Sequence, residues 1–337
     1  MPASMTRADA DSRIFFGYET AFRIVRCVHP SALLRAKAKA CVLSDAAPSA
    51  KEVEAALGRL KAAYPDFGVE GPLHVLARRA PHHRASGACR RHACSARFPG
   101  GSFYQVEDGV FASAPALAFV LEASRSKSMV SLLELGYELC GTYQTKRTGS
   151  SSAYDVEPLA SVRALVDYAK RNPSMSGARK VARLAPYLSE GSASARETKL
   201  ALVLGLPHLY GGYGLGMPCM NYEVKANGAA RAISGKRFFR ADLCWPEKKL
   251  DVEYQSKECH EGELARMGDS RRTNALMSMG WTVVGVTNDE LDSFAAMETI
   301  AQTITRHVGK RLQARVSDYH ARKLRLRRQL GLPVGYE

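Results

Sequence analysis

The segment DLCWPEKKLDVEYQ, residues 242–255, carries two carboxylates, Asp242 and Glu253, on either side of a Trp-Pro step. With a two-residue turn at Glu247 and Lys248, Asp242 faces Glu253 across an antiparallel hairpin. Leu243 then faces Val252, Cys244 faces Asp251 and Trp245 faces Leu250. Side chains alternate between the faces of a strand. One face therefore gathers Ala241, Leu243, Trp245, Leu250, Val252 and Tyr254, and the other gathers Asp242, Cys244, Asp251, Glu253 and Gln255. A one-residue slip would mix the two sets. Directly opposed side chains have Cβ atoms about 5 Å apart, and two ionised carboxylates that close repel unless a cation or a shared proton intervenes. A hard divalent cation, Mg²⁺ or Mn²⁺, takes oxygen ligands of this kind. A solvated polar face with ion pairs to Lys248, Lys249 and Lys257 satisfies the same spacing equally well.

These carboxylates need a scaffold, and the surrounding sequence supplies one. SARETKLALVLGL opens with Ser194 and has Glu197 three residues later, the pattern of a capping box at a helix start. A glycine-rich loop leads to a strand at NYEV; it lacks the Gly-Lys-Ser/Thr ending of a phosphate-binding loop. LARMGDSRRTNALMSM reads as a helix stopped by Gly280 in the left-handed region. In it Asp269 and Arg272, three residues apart, are placed to form an ion pair. WTVVGVT reads as a buried parallel strand, so the expected sheet is mixed and lies between helices.

Upstream, the sequence predicts helices within 13–40, at SAKEVEAALGRLKAAY with Ser49 as cap, over 116–141, and around LASVRALVDYAKR and GARKVARLAPYL. GPLHVLARRA and GSFYQVEDGVFAS read as strands, the second folding back at Glu-Asp-Gly. KRTGSSSAYDVEP reads as a loop, and SEGSAS at 189–194 as the domain boundary. The expected organisation is an α/β chain: a mixed α/β N-terminal region at 1–190, a second domain at 191–305, and a basic C-terminal helix at 306–337.

Composition narrows the class of partner. The chain has 337 residues and a formal net charge of +15, which favours a polyanionic partner, nucleic acid first. No apolar run approaches the roughly 20 residues that span a bilayer. No charged head followed by an apolar core is present, so neither a signal peptide nor a membrane partner is expected, and a cytoplasmic location is. Eight scattered cysteines read as thiols. PHHRASGACRRHAC offers His82, His83, Cys89, His92 and Cys94, but not in the paired spacing of a structural zinc site. A basic surface loop is expected there.

The stretch RFFRADLCWPEKKLDVEYQSKECHEGELARMGDSRRTNALMSMGWTVVGVTNDEL resembles the PD-(D/E)xK, or restriction-endonuclease-like, superfamily. Within it, the stretch looks most like domains related to very-short-patch mismatch-repair endonucleases. Asp242, Trp245, Pro246, Val252, Glu253, His260, Asp269, Arg272, Gly280, Trp281 and Val283 match that order, and Glu197 matches its upstream acid. The resemblance covers roughly 192–305 of the sequence. It implies a restriction-endonuclease-like mixed sheet and Mg²⁺- or Mn²⁺-dependent hydrolysis of phosphodiester bonds in DNA, in repair, restriction or defence. Glu197, Asp242 and Glu253 would be the metal ligands, with Asp242, Glu253, Gln255 and His260 at the catalytic positions. Gln255 stands where many relatives have Lys, and Ser256 where they have Gly. His260 is then the proton-transfer group. The same two departures admit an alternative: a catalytically inactive nucleic-acid-binding regulator that keeps the nuclease fold.

The C-terminal RHVGKRLQARVSDYHARKLRLRRQL carries nine Lys and Arg against one acid, Asp318, with an apolar stripe at Ile304, Val308, Leu312, Val316 and Tyr319. It reads as one helix with a basic face outward. Lys310, Arg311, Arg322 and Arg325, together with Arg271 and Arg272, are the expected contacts to nucleic acid.

Overall fold

The computed structural model describes residues 13–28, 33, 42–64, 67–68, 72–79, 89–255, 263–309 and 316–335, with residues 263–266 as backbone only. The chain forms two compact units, Met1–Lys127 with Glu138–Ala185, and Ser128–Tyr137 with Pro186–Glu337. Both are mixed α/β, with mixed sheets flanked by helices. Among the described residues no helix is long and apolar enough to cross a membrane.

In the first unit the strands β1 (Ile14–Phe16), β2 (Leu73–Ala77), β3 (Cys89–Ala93), β4 (Phe103–Glu107) and β5 (Val110–Ser113) lie in the order β3-β2-β1-β5-β4. The β4–β5 hairpin turns at Gly109, φ +68°, as Glu-Asp-Gly predicts. Helices α1 (Tyr18–Cys27), α2 (Ala50–Ala63) and α3 (Pro115–Arg125) follow the expected order, and α2 begins with a complete Ser49–Glu52 capping box. Helices α5 (Val162–Arg171) and α6 (Ala178–Leu184) also stand where predicted.

Three expectations for this region are corrected. The single helix over 116–141 is two helices, α3 and α4 (Met129–Cys140). Lys180 Nζ takes the carbonyls of Ala123 and Ser126, at 2.9 and 2.8 Å, where the first ends. Ser128 Oγ accepts the N–H of Ser131, at 3.1 Å, where the second begins. The loop after α4 contains a two-stranded ribbon, β6 (Tyr143–Gln144) with β7 (Ala153–Tyr154). The Cys/His stretch is not all loop: Cys89–Ala93 is β3, parallel to β2, and His92 is hydrogen-bonded to His74 at 2.9 Å. His82 and His83 lie outside the described residues.

In the second unit β8 (Cys219–Lys225), β9 (Phe238–Trp245), β10 (Leu250–Gln255) and β11 (Thr282–Thr287) lie in the order β11-β10-β9-β8. β8, β9 and β10 are antiparallel neighbours, and β11 runs parallel to β10. The helices are α7 (Ala195–Gly205), α8 (Gly228–Ser234), α9 (Glu263–Ser278), α10 (Asn288–Asp292), α11 (Phe294–His307) and α12 (Tyr319–Gln329).

The hairpin has the predicted register: Trp245 opposite Leu250, Cys244 opposite Asp251, Leu243 opposite Val252. Its turn is longer than two residues. Pro246–Lys248 forms a 3-10 turn and Lys249 takes φ +45°. Pro246 has no N–H to give the ladder, so pairing stops at Trp245. The apolar face is buried at Ala241, Leu243, Trp245, Leu250 and Val252. Cys244 and Asp251 are buried too, and Cys244 clusters with Ala275 and Leu276 of α9.

β11 is parallel as expected but not buried along its length. It has one neighbour in the sheet, and of its six residues Val286 alone is buried. Gly280, φ +77°, ends α9 as predicted: its N–H reaches Met277 O and that of Trp281 reaches Leu276 O. The single basic C-terminal helix is also corrected. α11 ends at His307 and α12 starts at Tyr319, with Lys310 and Arg311 outside the described residues.

Candidate functional site

The acids meet where β9 and β10 part. Regular pairing ends at Leu243–Val252. One step further, the N–H of Tyr254 is taken by Asp242 Oδ2 at 3.0 Å, so a side chain continues the ladder. This brings Asp242 beside Glu253, as the register predicts. Burial pushes the Asp242 carboxyl up to about 7, with the nearby charges of Glu253 and Glu197 adding to it.

Glu197 arrives from α7. The Ser194 hydroxyl accepts the Glu197 N–H at 3.1 Å, so the predicted cap forms. Its return half differs from the expected box: the Glu197 carboxylate takes the N–H of Ala193, at 3.0 Å, with further hydrogen bonds from Ser194 Oγ at 3.1 Å and Asn221 Nδ2 at 3.2 Å. Burial raises the pKa of Glu197 despite these donors. Its neighbour Arg196 fastens the start of α7 in place, donating to Asn288 Oδ1 at 2.7 Å and to both oxygens of Asp292 at 2.8 and 2.9 Å.

Arg272 of α9 supplies the positive charge. It pairs with Glu253, reaches Asp251 Oδ2 at 3.3 Å, and donates to Arg240 O at 2.6 Å. The i,i+3 pair expected with Asp269 is replaced by these longer-range contacts, and Asp269 is exposed. Asp251 is fully buried. Its pKa is raised, first by burial and then by a hydrogen bond shared with Glu253. Its Oδ1 has no hydrogen-bond partner among the described residues.

Beside this cluster opens a recess of about 330 Å³, lined by Glu253, Gln255, Asp269, Arg272 and Gly285 among others. Gln255 is exposed at the end of β10. A Cβ on Gly285 would lie 2.9 Å from the Gln255 amide nitrogen, so the glycine leaves room for that side chain. Arg271 and Arg325 are exposed. Arg322 is tied to Asp318 at 2.6 Å and to Leu209 O at 2.8 Å. His260, with Lys310 and Arg311, lies outside the described residues.

The donor set tests the implied Mg²⁺ or Mn²⁺. Its chemistry fits a hard cation: carboxylate oxygens, one of them buried without a hydrogen-bond partner among the described residues, and three carboxyls with raised pKa. Among the described residues no three His, Cys, Asp or Glu side chains are grouped closely enough to hold an ion. Sequence reasoning placed Asp251 on this face but gave it no role. It missed Arg240 and Asn221; the only signal for Asn221, its φ of +47°, belongs to the backbone.

No family profile matches the chain, and no solved structure matches it. It is similar to an uncharacterized protein of Mycobacterium tuberculosis, found in strains CDC 1551 / Oshkosh and ATCC 25618 / H37Rv. The identity is 28% over 127 residues, which is 38% of this chain and 41% of the relative. The chain thus spans about two fifths of the length of the curated relatives it matches.

Proposed function

We propose that the second unit is a restriction-endonuclease-like phosphodiester hydrolase acting on DNA with Mg²⁺ or Mn²⁺. The observation that carries this reading is the placement of Asp242 on β9 at the end of β10, where its Oδ2 takes the Tyr254 N–H, with Glu253 on β10 and Glu197 on α7 close enough for their charges to raise its pKa. Asp242 and Glu253 would hold the cation, with Glu197 behind them. When bound, such an ion polarises a phosphoryl oxygen and acidifies the attacking water.

The chain's own groups have distinct tasks. Asp242, with its carboxyl raised to about 7, is only partly ionised at neutral pH, and a cation would displace the proton it retains. Arg272 neutralises Glu253 and Asp251 and fixes their positions. Ser194, Ala193 and Asn221 fix Glu197. His260 is the proposed proton-transfer group.

One observation favours the second reading, an inactive nucleic-acid-binding regulator. Arg272 already occupies Glu253, and Gln255 stands where a catalytic Lys is common. Incubation with supercoiled plasmid in Mg²⁺ or EDTA, beside Asp242→Ala, separates the two. Metal-dependent nicking that the substitution abolishes supports the hydrolase. Retardation of DNA without any nicking supports the regulator.

A further inference from the structure

The strand that carries Asp242 continues into a second surface. Along β9 the exposed Phe238 and Arg240 and the half-buried Asp242 alternate with buried Phe239, Ala241 and Leu243. Phe238, Arg240 and Asp242 therefore share a face, and four residues of strand separate the ring from the carboxylate, about 13 Å. Phe238 is 55% exposed.

It does not stand alone. It lines a recess of about 550 Å³ with Lys236, Arg237, Arg240 and Arg272, and Lys225 is its partner across the β8–β9 pair. Lys225, Lys236, Arg237 and Arg240 are all exposed, and none forms an ion pair among the described residues. Arg272 lines both this recess and the one beside Glu253.

The ring is held in a rigid setting. Its neighbour Phe239 is anchored in the core with Val224, Ala226 and Ala230. The turn behind it is closed by Ala226 N to Arg237 O, at 2.9 Å, and by Gly235 at φ +70°. A solvent-facing ring on an anchored strand, bordered by exposed cations without ion pairs among the described residues, has the make-up of a stacking platform for nucleobases with phosphates on either side.

We propose that this recess binds single-stranded DNA, one base stacking on Phe238 and the flanking phosphates lying on Lys236, Arg237 and Arg240. The proposal rests on the nuclease reading for the direction of the strand, from Phe238 past Arg240 and Arg272 to the acids. It adds the substrate class. Within a duplex the faces of a base are covered by its neighbours, so only an unpaired base can give its face to the ring. Stacking tolerates any base, and the platform therefore holds the strand without reading its sequence.

The test is fluorescence anisotropy in EDTA, which keeps binding apart from hydrolysis. The probes are a labelled oligothymidylate of about 12 nucleotides, within the usual site size, a duplex of the same length, and oligouridylate. The wild-type chain binds the oligothymidylate more tightly than the duplex or the RNA. Phe238→Ala weakens that binding about tenfold with an unchanged salt slope, whereas Phe238→Tyr stays within about twofold of wild type. Lys236→Ala with Arg237→Ala lowers the salt slope by about 1 to 2. Circular dichroism of each variant reports folding. Equal affinity of Phe238→Ala and wild type overturns the proposal, as does tighter binding of duplex or RNA. Plasmid nicking reports separately: if the Phe238 effect holds and nothing is nicked, the hydrolase reading fails and the stacking site stands.

Discussion

Arg272 is ion-paired with Glu253, nineteen positions earlier in the chain and on a different element. The same guanidinium reaches Asp251, whose carboxyl is fully buried. One cation from α9 thus offsets the charge of Glu253 and hydrogen-bonds the buried Asp251 carboxyl, whose pKa is raised, and removing it would leave Glu253 without that countercharge and Asp251 Oδ2 without that donor. Arg272→Ala is expected to lower the unfolding free energy by about 3 kcal/mol, the scale for breaking a buried pair from one side. Arg272→Lys should recover part of this, because a single ammonium cannot reproduce the planar fork. Urea denaturation measures both, and a loss below about 0.5 kcal/mol for the alanine would show that solvent already screens the pair.

The carboxyl of Asp242, raised to about 7 in the fold, makes stability fall with pH. Because the folded state holds the proton more tightly than the unfolded chain, the contribution is complete below the ordinary carboxylate value. It is lost as pH rises through about 7. In metal-free buffer the melting temperature is therefore expected to drop between pH 5 and pH 8, and Asp242→Asn should reduce that drop, the raised carboxyls of Asp251 and Glu197 supplying the remainder. Parallel pH profiles for the two proteins would count against the assignment.

How much of this could be read beforehand depended on the range of the interaction. The β9–β10 register was legible because only one pairing puts Leu243, Trp245, Leu250 and Val252 together, and Gly280 and Ser194 announced helix ends by chemistry within four residues. The partner of Arg272 was not legible: the near neighbour Asp269 satisfied a local rule, whereas Glu253 required the sheet and α9 to be in place. The break at Ser126–Ser128 was hidden in the same way, since Lys180 reaches the carbonyls at the end of α3 from another helix.

The C-terminal helix carries a second lesson about counting charges. Lys323 and Arg327 of α12 are buried. Lys323 pairs with Glu298, and Arg327 donates to the carbonyls of Leu291, Asp292 and Pro333. They fasten the helix and cannot be phosphate contacts as they stand. Arg327→Ala is expected to cost about 2 to 4 kcal/mol, because three carbonyls lose a charged donor. Arg325→Ala, at an exposed position, should leave stability within about 0.5 kcal/mol and reduce the salt slope of DNA binding by about 1. Thermal melts together with anisotropy over a salt series check both, and the reverse pattern would make Arg327 rather than Arg325 the phosphate contact.

On the proposed reading a metal ion would compete with Arg272 for Glu253 and with the proton on Asp242. Four consequences follow for Mn²⁺ added to the intact chain or its variants. At pH 8, where Asp242 is ionised, Mn²⁺ should raise the melting temperature, since an ion that binds only the folded state stabilises it by mass action. At pH 5, where the carboxyl holds its proton, the same concentration should do little. Glu253→Gln and Asp242→Asn should each remove the pH 8 response. Arg272→Gln, though less stable without metal, should show a larger rise than wild type, because the competing guanidinium is gone. Differential scanning fluorimetry across Mn²⁺ concentrations at the two pH values reads all four proteins. A wild-type melting temperature indifferent to millimolar Mn²⁺ at pH 8 would overturn the proposed cation site and leave Arg272 as the countercharge of Glu253.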